Sequence, residues 1–112
     1  MDANIIDKCT NEITKGIKQL LPQTLSCIYL YGSCARGDYQ EFSDIDVMVV
    51  VDCDAQEISY VKKEIAKLAS RIGLDNDTLL SCQVRSKDEW QKRNGYLPYY
   101  QNILREGKVL YG

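Results

Sequence analysis

Two aspartates lead into the most apolar stretch of the chain, Asp44-Ile45-Asp46 followed by Val47-Met48-Val49-Val50-Val51. On a strand, residues two apart point to the same face. Asp44 and Asp46 therefore project side by side, about 7 Å apart along the backbone. Two such carboxylates repel each other and resist burial. A divalent cation between them answers both problems, and hard oxygen ligands suit Mg²⁺ or Mn²⁺. Upstream, Gly32-Ser33 abruptly ends a short apolar and aromatic run. Glycine allows close backbone approach and unusual dihedrals. Ser33 offers a hydroxyl and a backbone N–H, both able to donate to a phosphate oxygen. A helical turn starting there would add a favourable dipole. Arg36 can grip a phosphate with its fork of donors. Ser43, directly before Asp44, is a candidate for the nucleotide or for capping its own turn. Together these residues describe a phosphate cradle facing a carboxylate metal site, which suits metal-assisted transfer on a nucleoside triphosphate.

Each part of this pattern is common on its own. The joint arrangement Gly32-Ser33-Cys34-Ala35-Arg36-Gly37, then Ser43-Asp44-Ile45-Asp46 and an apolar strand, is specific. It resembles the minimal nucleotidyltransferase domain of the polymerase-β-like superfamily, and the resemblance spans essentially residues 1–112 as a single domain. The closing Asn102-Ile-Leu-Arg-Glu-Gly-Lys-Val-Leu-Tyr111 also resembles the family's usual C-terminal end.

The resemblance implies an α/β (α+β) fold, a small mixed sheet flanked by helices, with a two-Mg²⁺ site. In that scheme Gly32 and Ser33 contact the triphosphate, and Asp44 and Asp46 hold the metals. The implied reaction moves a nucleoside monophosphate from an NTP such as ATP to a hydroxyl on a protein or small molecule, releasing pyrophosphate. It also implies a partner, often a small helical protein of the HEPN type, in some cases as a toxin–antitoxin pair. A chain this short leaves little to build an acceptor pocket, so the acceptor site is expected to be completed by such a partner or by a homo-oligomer.

One departure stands out. Active members usually carry a third carboxylate on a later strand. The equivalent strand here is 78–85, which holds Ser81 and Cys82 but no acid. Asp75 and Asp77 lie just before it, and Asp77 is the better-placed candidate for a third catalytic acid. Asp52 shares the parity of Asp46, but six residues of strand put it about 20 Å away. Without a third acid, the alternative is a catalytically weak or inactive, antitoxin-like binding subunit that keeps the fold and the nucleotide site.

Composition narrows the remaining chemistry. The chain has 112 residues, 45% of them hydrophobic and 27% charged, as in an ordinary globular domain. Lys and Arg number 14 against 16 Asp and Glu, a net charge of −2, so no global basic field would hold nucleic acid. There is no histidine. That removes Ser-His-Asp and Cys-His nucleophiles and histidine-based metal sites. Five cysteines lie at 9, 27, 34, 53 and 82, none in a C-x-x-C pair. Their odd number and the lack of a signal-peptide pattern point to reduced thiols in the cytoplasm. No apolar run approaches the ~18 residues of a membrane span.

Several elements must position the site. Residues 4–21 read as an amphipathic helix through Ile6, Cys9, Ile13, Ile17 and Leu20, stopped by Pro22. Residues 26–31 read as a strand, 34–43 as a loop or short helical turn, and 44–52 as a central strand buried on both faces. Asp54-Ala-Gln-Glu57 fits a capping box opening a helix through Ile58, Val61, Ile65, Leu68 and Ile72, with Gly73 closing it. Residues 78–85 read as a strand, Ser86-x-x-Glu89 as a second capping box before a short helix around Trp90, and 109–111 as a last short strand. Tyr96, Tyr99, Tyr100, Ile103 and Leu104 form one more helical face, interrupted at Pro98, suited equally to core packing, base stacking or partner docking. The expected order is α-β-β-α-β-α-α-β.

Overall fold

A computed structural model describes all 112 residues. The elements in chain order are α1 (Ala3–Leu20), β1 (Leu25–Tyr31), α2 (Ser33–Arg36), β2 (Ile45–Val51), α3 (Ala55–Asp75), β3 (Leu80–Ser86), α4 (Lys87–Arg93), α5 (Pro98–Glu106) and β4 (Lys108–Tyr111). The strands form one mixed sheet in the order β3-β2-β1-β4. β1 is antiparallel to β2 and to β4, while β2 and β3 run parallel. The parallel pair needs a crossover, and α3 supplies it. This is the α/β fold, a mixed sheet with flanking helices, that the residue pattern implied.

β2 divides the interior in two. Ile45, Val47, Val49 and Val51 enter the larger core, packed against Ile28 and Leu30 of β1 and against α1 and α3. Met48 and Val50 enter a smaller core on the opposite face with Trp90, Tyr100 and Ile103. The near-continuous apolar run of β2 reflects this burial on both faces. Asp46 shares the parity of Met48 and Val50, so it stands on the small-core face, beyond the part that α4 and α5 cover.

Caps fix where the helices begin. Asp54 accepts hydrogen bonds from the backbone N–H groups of Gln56 (3.0 Å) and Glu57 (2.8 Å), opening α3. Ser86 does the same for α4 through Glu89 N–H at 3.1 Å. α3 runs past its expected end. Gly73 lies inside the helix, and a Cβ there would sit 2.7 Å from the Thr78 carbonyl oxygen. Its role is close approach of the returning chain, not termination. Pro98 does not interrupt the last helix but begins it, leaving Tyr96 exposed outside. No helix is long and apolar enough to cross a membrane, and the five cysteines are free thiols.

Candidate active site

The site forms where β1 ends. Tyr31 is the last residue of β1 and lies in register with Asp46 on the neighbouring β2. Gly32 then turns the chain with φ 74°, a region that disfavours any residue with a Cβ. The Gly32 carbonyl accepts from the N–H groups of Ala35 and Arg36, both at 3.1 Å, which closes the single turn of α2. Cys34 and Ala35 point into the large core and anchor that turn. The N–H groups of a first helical turn have no partner within the helix. Those of Ser33 and Cys34, next to Gly32, are left without a partner inside α2.

Asp46 reaches back over this turn. A Cβ built on Gly32 would lie 2.6 Å from the Asp46 Oδ2 atom. The missing side chain of Gly32 is thus the space that the carboxylate occupies. Asp44 is exposed, just ahead of β2. Its backbone carbonyl accepts a bond from the Cys34 thiol at 3.4 Å, tying the approach to β2 onto α2. Burial pushes the Asp46 carboxyl above the ordinary carboxylate range, the charge of Asp44 pushes it further, and Arg36 partly offsets both. Asp46 is half-buried, faces a like charge, and has no hydrogen bond to ease its ionisation. Two hard carboxylate donors in that state fit a divalent cation that completes its shell with water and phosphate oxygens.

A family profile described as a nucleotidyltransferase domain matches residues 10–110. A candidate protein adenylyltransferase of Methanocaldococcus jannaschii, MJ0604, is 33% identical over 105 residues, covering 94% of this chain and 97% of its own. The chain belongs to the nucleotidyltransferase domain family. A second M. jannaschii candidate protein adenylyltransferase, MJ0141, is 42% identical over 78 residues, covering 68% of this chain and 75% of its own. Among solved structures, a toxin–antitoxin crystallised with AMP-PNP matches this nucleotidyltransferase fold with a TM-score of 0.58 at 22% identity, over 92% of this chain and 73% of that one. A mutant MntA-HpeT toxin–antitoxin gives 0.59 at the same identity and coverage.

Not every residue expected in the site is gathered there. Asp77 sits in the turn before β3, exposed, with φ 51°. It is three residues ahead of Leu80, the partner of Ile45. No three acidic, cysteine or histidine side chains converge as a metal site, so Asp77 does not join Asp44 and Asp46. Where β3 runs beside Asp46 and Met48, it presents Ser81 and Gln83 on their face, neither of them an acid. Ser43 turns inward on its own loop, its hydroxyl accepting from Gln40 N–H at 2.8 Å. Arg36 is exposed, its guanidinium donating to Asp38 at 3.2 Å and pairing with Glu106 of α5 at 3.5 Å. The Cys34 thiol is pushed up by burial first, then by Asp46, so it is no activated nucleophile.

Sequence reasoning missed Tyr31. Its hydroxyl meets that of Tyr99 at 2.8 Å, and the two rings stand edge to face. Burial raises the Tyr31 phenol, followed by that hydrogen bond and then the charges around it, including that of Asp46. The available signal was its place: the residue before Gly32, two after Tyr29, with the parity of a site-facing strand end.

Proposed function

We propose that residues 1–112 act as one Mg²⁺-dependent nucleotidyltransferase domain that moves a nucleoside monophosphate from an NTP to a hydroxyl acceptor, with the help of a partner chain. The observation that carries this is the Asp46 carboxylate lying over the vacant side of Gly32, with Asp44 beside it and the opening turn of α2 next to both. Asp44 and Asp46 would hold the metal, which when bound screens the triphosphate and makes the α-phosphorus easier to attack. Gly32 leaves the space of its side chain to the Asp46 carboxylate and lets its backbone come close to the phosphates, while Ser33 donates through its hydroxyl and N–H. Arg36 trades its exposed ion pairs for phosphate oxygens, a stronger bidentate contact. Ser43 holds the loop that delivers Asp44 and stands near enough in sequence to serve the same nucleotide.

The likeness to candidate protein adenylyltransferases supports ATP as donor and a protein hydroxyl as acceptor. The toxin–antitoxin neighbours support work beside a separate chain; our reading makes that chain a small helical protein of the HEPN kind, or a second copy, and places the pair in the cytoplasm. A second reading is favoured by Ser81 and Gln83 standing where an acid would complete the site. Under it the chain is an antitoxin-like subunit that binds nucleotide and partner with little turnover.

Calorimetric titration of Mg²⁺-ATP and Mg²⁺-GTP tests the proposal. Binding that requires Mg²⁺ and disappears in Asp44→Asn/Asp46→Asn is the expected result. Failure of the folded chain to bind either nucleotide, alone and with its partner, would overturn it. The two readings then separate on Asp44→Asn in the complex: loss of transfer with association intact supports the enzyme, and no detectable transfer by either form supports the subunit.

A further inference from the structure

We propose that the chain also labels itself, with Tyr99 as an internal acceptor that takes a nucleoside monophosphate in cis. This rests on the transferase reading above and names an acceptor for the same site.

Tyr31 ends β1 opposite Asp46, and its hydroxyl is hydrogen-bonded to that of Tyr99 at 2.8 Å. Tyr99 is therefore one hydrogen bond away from a side chain that lines the aspartate face. α5, which carries Tyr99, also meets the phosphate cradle at its other end, where Glu106 pairs with Arg36 at 3.5 Å. Tyr99 and Glu106 stand seven positions apart on the helix, about 10 Å of axis. The helix thus flanks the site along a length comparable to a nucleotide.

Four other tyrosines lack one of the two requirements, nearness and access. Tyr100 is buried, and its hydroxyl accepts from Arg85 Nε at 3.1 Å. Tyr29 stacks on Trp90 in the small core, and Tyr39 packs against the large one. Tyr96 is exposed but lies outside the helix, in the turn between α4 and α5. Tyr99 alone is held against Tyr31 and still 43% exposed.

The step balances. The Tyr99 Oη atom forms a bond to the α-phosphorus of ATP. The bond from that phosphorus to the bridging oxygen of the β-phosphate breaks, and its electron pair leaves with pyrophosphate. The phenolic proton passes to water. Tyr31 is a positioning residue that fixes the orientation of the acceptor ring.

The test incubates the full chain with Mg²⁺-ATP and reads intact mass, followed by peptide mapping. The expected result is a gain of one AMP mapped to Tyr99. The adduct should be lost in Tyr99→Phe and in Asp44→Asn, and retained in Tyr96→Phe. Its first-order rate should not change on dilution, and Tyr31→Phe should slow it while Mg²⁺-ATP binding persists. An adduct that survives Tyr99→Phe, or a rate that falls with dilution, would overturn the inference. So would a wild type that binds Mg²⁺-ATP yet gains no mass, leaving the transferase reading standing. If Mg²⁺-ATP is not bound at all, both fall together.

Discussion

Asp46 is held in a state it disfavours. Its carboxyl is raised by burial and by Asp44, so in the folded chain the charged form is the costly one. That cost is absent below the unfolded carboxylate value of about 3.9 and fully present above the raised folded value. Asp46→Asn should therefore match the wild type near pH 3 and become the more stable of the two as pH rises to neutrality. Solvent screening at this half-buried position keeps the gain under about 1 kcal/mol. Thermal unfolding in a chelator across pH checks it, and added Mg²⁺-ATP should close the gap by stabilising only the wild type. Gly32 gives the opposite case. Gly32→Ala combines a φ of 74° with a Cβ 2.6 Å from the Asp46 carboxylate. It should cost about 1–3 kcal/mol and also abolish Mg²⁺-nucleotide binding, since the carboxylate must move. A variant that unfolds earlier yet binds normally would show that Asp46 does not need its present position.

At the scale of elements, α3 can be loosened without touching the site. Its N-terminus lies at the end of β2 away from the aspartates and depends on two bonds to the Asp54 carboxylate. Asp54→Ala should cost about 1 kcal/mol in denaturant unfolding and leave nucleotide affinity unchanged. These boundaries were legible in the sequence because caps and apolar periodicity are local signals. Asp54, Ser86 and the stripe from Val61 to Ile72 declare their helices within a few residues. The candidate site was legible in part for the same reason: the nearness of Gly32 to Asp46 follows from turn chemistry and strand parity. What escaped the sequence depends on pairing across the fold. Register places Tyr31 opposite Asp46 and turns Ser81 and Gln83 toward the aspartate face, and no local pattern encodes register. Asp77 looked close to the site only in chain order. Its turn delivers it ahead of β3 rather than onto the strand. Gly73 was misjudged likewise, because the atom that demands a glycine there belongs to Thr78, beyond the helix.

At the scale of the whole molecule, the two cores share one sheet and so should melt together. β2 sends Val47, Val49 and Val51 to the large core and Met48 and Val50 to the small one. Neither core can lose its β2 side chains while the other keeps its own. The chain's single tryptophan, Trp90, lies in the small core, against Tyr29 and Tyr100. Its fluorescence reports on that face, whereas far-UV circular dichroism is weighted toward the long helices α1 and α3 on the other. Ile103→Ala removes a buried side chain from the small core alone and should cost about 2–5 kcal/mol. If β2 couples the faces, fluorescence and dichroism midpoints shift together and by the same amount. If the fluorescence midpoint falls while the dichroism midpoint stays, α4 and α5 come away as a unit and the sheet does not enforce cooperativity. The distinction bears on function, because α5 carries Tyr99 beside the aspartate face and Glu106 against Arg36. A coupled sheet keeps that helix in place whenever the candidate site is folded.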